Sequence, residues 1–107
     1  MKIDPKPGEV YFADLGMVEK PRYVLVVSVR AAAAPLAVVT GLSVTRQHHE
    51  TGYEVRLPRV PWLREQSFVN VQSLSGFKFV DLQRLAGKLE ASVMLQVHAA
   101  LRLWLGL

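Results

Sequence analysis

Polar side chains at the ends of apolar runs are the residues of this chain whose types and spacing suit chemistry on a phosphodiester. Arg22 begins the apolar run Arg-Tyr-Val-Leu-Val-Val-Ser at 22–28. The others are hydroxyl and amide residues that end this run or lie in later apolar runs: Ser28, Ser43, Thr45, Asn70 and Gln72. A guanidinium group binds phosphate oxygens through paired hydrogen bonds, and hydroxyl and amide groups donate more. If the runs are neighbouring strands, these side chains line one groove, and the sequence predicts a phosphodiester site around Arg22.

The common signatures of other sites are absent from the sequence. The chain has no P-loop, no Gly-x-Gly-x-x-Gly, no His-Glu-x-x-His and no Gly-x-Ser-x-Gly. His48 and His49 are adjacent, and neighbours in an extended segment point to opposite faces, which is unfavourable for sharing one metal ion. We therefore expect neither a metal nor a cofactor. An imidazole titrates near ~6.5, so His48 or His49 could transfer a proton, although both also fit a solvated loop.

Composition and charge indicate one globular domain over residues 1–107 with an attraction to polyanions. Half of the residues are hydrophobic and 21% are charged, and there is no cysteine for disulfide or thiolate chemistry. The 13 Lys and Arg against nine Asp and Glu give a net charge of +4, and nucleic acid is the commonest polyanionic partner. Residues 1–8 lack the apolar core of a signal peptide, and no apolar stretch reaches the ~20 residues of a membrane span. We expect a soluble, cytoplasmic protein.

The periodicity predicts short strands followed by one helix. The predicted strands are residues 8–14, 22–29, 36–43, 51–58, 67–74 and 84–89, with loops at 15–21 and 31–34, a break at Ser75-Gly76 and a single turn at 78–82. The run at 22–29 is apolar on both faces, which is typical of a central strand. Five or six short strands with a late helix predict a mainly β fold, a small antiparallel barrel.

The predicted helix at 91–105, which Gly106 ends, is apolar on two faces. One face carries Met94, Val97, Leu101 and Leu105, and the other carries Leu95, Ala99, Leu103 and Trp104. A helix that is apolar nearly all round needs burial on two sides. We expect a second copy of the chain to cover the second face, with His98 as an interface residue. The alternative is that the domain wraps the helix completely by itself.

Five segments, in order and spacing over residues 7–105, resemble the MazF/PemK-like toxins. They are Pro-Gly-Glu-Val-Tyr-Phe-Ala-Asp at 7–14, Arg-Tyr-Val-Leu-Val-Val-Ser at 22–28, Val-Val-Thr-Gly-Leu-Ser at 38–43, Phe-Val-Asn-Val-Gln-Ser-Leu at 68–74 and Arg-Leu-Ala-Gly-Lys-Leu at 84–89. The terminal helix with Met94 follows them. Tyr23 stands where the family commonly has proline.

The resemblance implies an SH3-like barrel of the MazF/PemK/CcdB class that forms a homodimer and is inhibited by a cognate antitoxin. It also implies metal-independent cleavage of single-stranded RNA, which leaves 2′,3′-cyclic phosphate and 5′-hydroxyl ends. The family's catalytic pair maps to Arg22 and Ser43, and its fifth-strand residues map to Asn70 and Gln72. In this interpretation Arg22 holds the scissile phosphate and Ser43 orients it, because an arginine with a pKa above ~12 is unsuited to act as the general base.

Two other functions are compatible with the sequence. The first is a non-catalytic SH3-like module that binds nucleic acid or an antitoxin, with aromatic residues such as Tyr11, Tyr23, Tyr53 and Trp62 stacking on bases. The second is a toxin that acts on a protein target such as gyrase through the terminal helix.

Overall fold

The computed structural model describes residues 3–16, 20–29 and 33–107. This part of the chain forms one antiparallel sheet of seven strands and a C-terminal helix. The elements are β1 (Glu9–Ala13), β2 (Arg22–Val26), β3 (Val38–Thr45), β4 (Glu54–Arg56), β5 (Phe68–Asn70), β6 (Ser75–Lys78), β7 (Leu82–Lys88) and α1 (Ala91–Leu105). Two 3-10 turns, Val71–Ser73 and Phe79–Asp81, flank β6. Within these ranges no helix is both long enough and apolar enough to cross a membrane.

The mainly β architecture with a C-terminal helix is confirmed, but the sheet does not close by hydrogen bonds. The strand order is β4-β5-β3-β2-β1-β7, with β6 paired to β3 as well, so β4 and β7 form edges. Side chains from residues 57–67 fill the gap between these edges. Leu57 and Leu63 share the main core with Leu89, which follows β7, and Trp62 lies against Gly87 in β7. The barrel is therefore completed by side-chain packing at this position.

The second strand is central, as its apolar sequence predicts. Val24 and Val26 pack into a smaller cluster with Tyr11, Val39 and Phe77, and Leu25 packs on the other face into the main core. The strand ends at Val26 and not at the predicted residue 29. The backbone N–H groups of Val27 and Ser28 both donate to the Thr40 carbonyl, at 3.0 and 3.3 Å, so the regular ladder stops there.

The predicted break at Ser75-Gly76 is wrong, because both residues belong to β6. Ser75 and Gly76 pair with Gly41 and Thr40 of β3. Only Phe77 of β6 is buried, so the strand has no alternation of apolar and polar residues from which it could be predicted. Residues 17–19 of the first predicted loop and residues 31–32 of the second lie outside the described residues.

The predicted fifth strand is too long, because it ends at Asn70. The Asn70 side chain accepts a hydrogen bond from the backbone N–H of Gln72 at 2.9 Å, and the chain turns into the 3-10 turn Val71–Ser73. Asparagine favours such local side-chain bonds over continued strand pairing. The predicted turn near 78–82 is confirmed by the 3-10 turn Phe79–Asp81, and β7 then begins at Leu82, two residues earlier than predicted.

The terminal helix has the predicted bounds, and Gly106 ends it in the left-handed conformation at φ 72°. Val93, Met94, Val97 and Ala100 are buried in the core. Leu105 is predicted on the face of Met94 and Val97, but it is exposed. Leu95 and Leu103 are 69% and 61% exposed, and Trp104 and Leu105 are exposed beside them. The alternative of a helix wrapped by its own domain is therefore wrong.

A methyl group at Gly87 is expected to destabilise the fold. A Cβ atom on this residue would overlap the Trp62 indole ring, so Gly87→Ala forces the ring out of its packing position. Overpacking of this kind costs about 1–3 kcal/mol, measured as the free energy of unfolding in urea. Gly76→Ala in β6 is the matched control, because a Cβ there meets nothing within 4 Å. Equal stability of the two variants would contradict the packing role of Gly87.

Candidate functional site

The structure brings Arg22 and Ser43 into contact. Ser43 in β3 pairs with Val24 in β2, and Arg22 lies two residues before Val24 on the same face of the sheet. Nη1 of Arg22 donates a hydrogen bond of 3.2 Å to Oγ of Ser43. The Ser43 hydroxyl accepts this bond and still carries its own hydrogen, with which it can donate to an anion. The pair thus offers a guanidinium fork and a hydroxyl at one point.

Ser73 fixes the backbone at Ser43 and was not among the predicted site residues. The Ser43 backbone N–H donates to Oγ of Ser73 at 2.9 Å, and that hydroxyl donates to the Asn70 carbonyl at 2.7 Å. Because the Asn70 side chain caps the turn that carries Ser73, Asn70 positions the site through its own local bonds. The only signal in the sequence is the Asn-x-x-Ser spacing at 70–73, which is typical of a turn.

Two surface depressions meet at Arg22. The first, the serine depression, has a volume of about 440 Å³ and is lined by Leu15, Arg22, Ser43, Ser73, Ser75 and Phe77. The second, the arginine depression, has a volume of about 450 Å³, and its lining includes Arg22, Tyr23, Thr45, Arg46, Arg64 and Glu65. Arg22 belongs to both linings, so the two depressions adjoin at this cation, and the two together are called the groove.

The other predicted contacts are distributed unevenly. Thr45 lines the arginine depression, whereas Gln72 is exposed beside the groove and lines neither depression. Ser28 lies near the opposite end of β2, six residues from Arg22, which is on the order of 20 Å in extended chain. Its Oγ accepts a hydrogen bond of 2.9 Å from the Thr40 backbone N–H. Ser28 therefore serves the β2–β3 connection.

The two adjacent histidines lie beside β4 and β5, and neither lines a depression. The His48 ring stacks on Phe68 with ring centroids 4.3 Å apart and an angle of 8° between the rings. The His49 backbone N–H donates to the Glu54 carboxylate at 2.9 Å. Desolvation opposes the charge of Glu54, but backbone hydrogen bonds from His49 and Thr51 outweigh it and hold the carboxyl pKa below its usual value.

Charged residues line the rim of the arginine depression. Nη1 of Arg46 lies 2.7 Å from Oε2 of Glu65. This ion pair joins the end of β3 to the segment 57–67. The hydrogen bond and charge of Arg46 lower the pKa of Glu65, and the nearby Arg64 and Arg59 act in the same direction. Over the described ranges, no three His, Cys, Asp or Glu side chains are grouped closely enough to hold a metal ion.

Comparison with known proteins gives one family and a consistent set of structures. The family model of PemK-like, MazF-like toxins of type II toxin–antitoxin systems matches residues 6–105. No curated protein sequence matches significantly.

Three solved structures illustrate the structural similarity. An endoribonuclease in complex with its cognate antitoxin, from a mycobacterial species, is 25% identical over 96% of each chain with a TM-score of 0.83. The Mycobacterium tuberculosis toxin MazF-mt6 is 25% identical over 92% of this chain and 97% of its own, with a TM-score of 0.81. A MazE–MazF complex from Deinococcus radiodurans is 19% identical over 99% of each chain, with a TM-score of 0.83.

Removal of the Ser73 hydroxyl is expected to release the backbone at Ser43. In Ser73→Ala the half-buried N–H of Ser43 loses its acceptor, which costs about 1–3 kcal/mol of unfolding free energy. Hydrogen exchange at the Ser43 amide should become faster. The matched control is Ser75→Ala, because the Ser75 hydroxyl is exposed and donates only a 3.3 Å bond to the Ser73 carbonyl. An unchanged exchange rate at Ser43 in the Ser73 variant would exclude this positioning role.

Proposed function

The chain belongs to the PemK-like, MazF-like toxins of type II toxin–antitoxin systems, and from this membership we propose that it is an endoribonuclease that cuts single-stranded RNA with Arg22 and Ser43 as its catalytic residues. The observation that carries the proposal is the 3.2 Å bond between these two side chains, at the point where the two depressions meet. The similar mycobacterial protein described as an endoribonuclease with its cognate antitoxin supports the activity.

The site suits cleavage in which the RNA supplies its own nucleophile. The ribose 2′-oxygen attacks phosphorus and loses its proton to a base, while the bond from phosphorus to the 5′-oxygen breaks and that oxygen takes up a proton. The products are a 2′,3′-cyclic phosphate and a 5′-hydroxyl. Negative charge grows on the phosphate oxygens during the attack, and the Arg22 guanidinium and Ser43 hydroxyl can stabilise it there.

Cleavage also requires a side chain that accepts or donates a proton. Glu65 is the carboxylate among the lining residues named for the arginine depression, but its ion pair with Arg46 lowers its pKa and makes it a weak base. We propose His48 or His49 for this step. Because neither histidine lines the groove, the proposal requires the segment 46–50 to approach Arg22 when RNA binds.

Selectivity and partners follow from the same proposal. The net charge of +4 favours binding to RNA. We propose that Thr45, which lines the arginine depression, and Asn70 and Gln72, which lie near Ser73, contact nucleotides of the bound RNA. We propose a cognate antitoxin as the inhibitory partner, as in the mycobacterial complex. A cytoplasmic location fits a substrate of cellular RNA and the lack of cysteine.

A second copy of the chain is the partner that we propose for the exposed face of α1. Leu95 and Leu103, about two turns apart on one side of the helix, form an exposed apolar strip. Leu105 and Trp104 are exposed at the C-terminal end of the helix, where Trp104 packs on Tyr53 at a ring distance of 5.4 Å. A strip of this kind on one helix is self-complementary across a two-fold axis, which is the geometry of a homodimer.

Loss of the guanidinium should abolish cleavage and leave the fold intact. We expect Arg22→Ala to cut a mixed-sequence RNA in EDTA at least about 10²-fold more slowly than the unmodified protein, because the growing charge on phosphate loses its cation. Lys88→Ala, which removes an exposed positive charge outside both depressions, should cut at the normal rate. End analysis of the fragments should give cyclic phosphates.

Other outcomes of this experiment select the other functions. Equal cleavage by Arg22→Ala and the unmodified protein would overturn the assignment of the site. Retention of RNA without cutting by the unmodified protein would favour a non-catalytic binding module. Neither binding nor cleavage would favour a protein target.

Polar residues on the apolar strip should prevent dimer formation. We expect the double variant Leu95→Gln with Leu103→Gln to sediment as a monomer at concentrations where the unmodified chain is a dimer, since both leucines lose apolar contact with the second copy. Leu85→Gln is the control, because Leu85 is a similarly exposed leucine on β7. A dimer that resists the double change, or that dissociates only with Leu85→Gln, would place the interface elsewhere.

A further inference from the structure

The arginine depression carries groups that the Arg22–Ser43 contact does not use. Its lining has three arginines, Arg22, Arg46 and Arg64, against one carboxylate, Glu65, and the exposed Arg46, Arg64 and Glu65 form its rim. Tyr23, Val44 and Leu63, which belong to or pack against the main core, form its apolar floor. A strongly cationic rim over an apolar floor with an aromatic ring matches the two parts of a nucleotide, its phosphate and its base.

The wall that carries Arg64 and Glu65 is held in place by its own bonds. The Ser67 hydroxyl is buried and donates to the Glu65 carbonyl at 2.9 Å, and the Gln66 side chain donates to the Leu57 carbonyl at 2.7 Å. Trp62 anchors the same segment on Gly87. The rim charges are therefore presented from an ordered segment, which lowers the entropy cost of binding.

The Arg46–Glu65 ion pair spans the rim and is exposed to solvent. The side chains of Arg46 and Glu65 are 73% and 59% exposed. An exposed pair of this kind contributes little to stability. A phosphate, which can also accept paired hydrogen bonds from arginine, can therefore replace the carboxylate at low cost.

We propose that the arginine depression binds the nucleotide next to the scissile phosphate, with its phosphate on Arg46 and Arg64 and its base against Tyr23 and Leu63. The Glu65 carboxylate pairs with Arg46 while RNA is absent, and the RNA phosphate replaces this carboxylate on Arg46 when RNA binds. The assignment rests on the proposed cleavage at Arg22. The volume of about 450 Å³ lies in the range of roughly 300–1,000 Å³ that is usual for small-ligand sites, and Arg22, which contacts Ser43, also lines this depression.

The salt dependence of binding tests the phosphate contacts directly. The probe is a mixed-sequence RNA in which fluorine replaces every 2′-hydroxyl, so that the attack by the 2′-oxygen cannot occur. Each phosphate contact with a single strand contributes about 0.7 to the slope of log affinity against log salt concentration. The slope is negative, and we expect Arg46→Ala and Arg64→Ala each to make it shallower by about 0.7. Lys88→Ala should keep the slope of the unmodified protein.

Glu65→Gln distinguishes a phosphate site from a structural ion pair. If phosphate and Glu65 compete for Arg46, Arg46→Ala weakens binding of the fluorinated RNA and Glu65→Gln strengthens it severalfold. If the ion pair only holds the wall in place, both variants lose the same contact and weaken binding together. Tyr23→Leu keeps the apolar bulk but loses the stacking ring, and should weaken binding by about fivefold or more.

The results separate this inference from the proposed cleavage. Unchanged slopes in Arg46→Ala and Arg64→Ala, or weaker binding in both Arg46→Ala and Glu65→Gln, would overturn the nucleotide site even when Arg22→Ala abolishes cleavage. Conversely, normal cleavage by Arg22→Ala would overturn the proposed cleavage site, whatever salt slopes are measured for the other variants. The melting temperature of each variant is compared with that of the unmodified protein, which verifies that each binding change is measured on folded protein.

Discussion

The pairing register between β2 and β3 is the constraint on which the candidate site depends. With Val24 opposite Ser43, the Arg22 guanidinium lies within hydrogen-bonding distance of the Ser43 hydroxyl. A shift of one residue would turn every β2 side chain to the other face of the sheet. That shift is strongly opposed, because Val24 and Val26 fill one cluster and Leu25 fills the other. Two-sided burial of the strand thus fixes the position of a charged residue at its exposed end.

The sequence predicted those parts of the molecule that a strong apolar pattern specifies. The helix bounds, the glycine that ends the helix, the central strand and its leading arginine all follow from periodicity or from a single special residue. The contact between Arg22 and Ser43 could be anticipated only through the family resemblance, because the two residues are 21 positions apart and no local pattern pairs them.

The features that escaped prediction depend on backbone pairing and on exposed polar groups. β6 has one buried side chain and is specified by its ladder with β3. Ser73 acts on the Ser43 backbone through its hydroxyl, and its residue type alone does not indicate that role. The Arg46–Glu65 pair joins two loops that only the tertiary fold brings together. Each depends on contacts between distant segments, which a single sequence does not record.

The packing of Trp62 on Gly87 has a consequence for how this sequence can diverge. The indole ring occupies the space of a side chain at position 87, so the two residues share one volume across the gap between β4 and β7. A relative that carries a larger residue at the position of Gly87 must lose the tryptophan or move the segment that bears Arg64 and Glu65. Positions 62 and 87 should therefore covary, and the charges on the rim of the arginine depression should change with them.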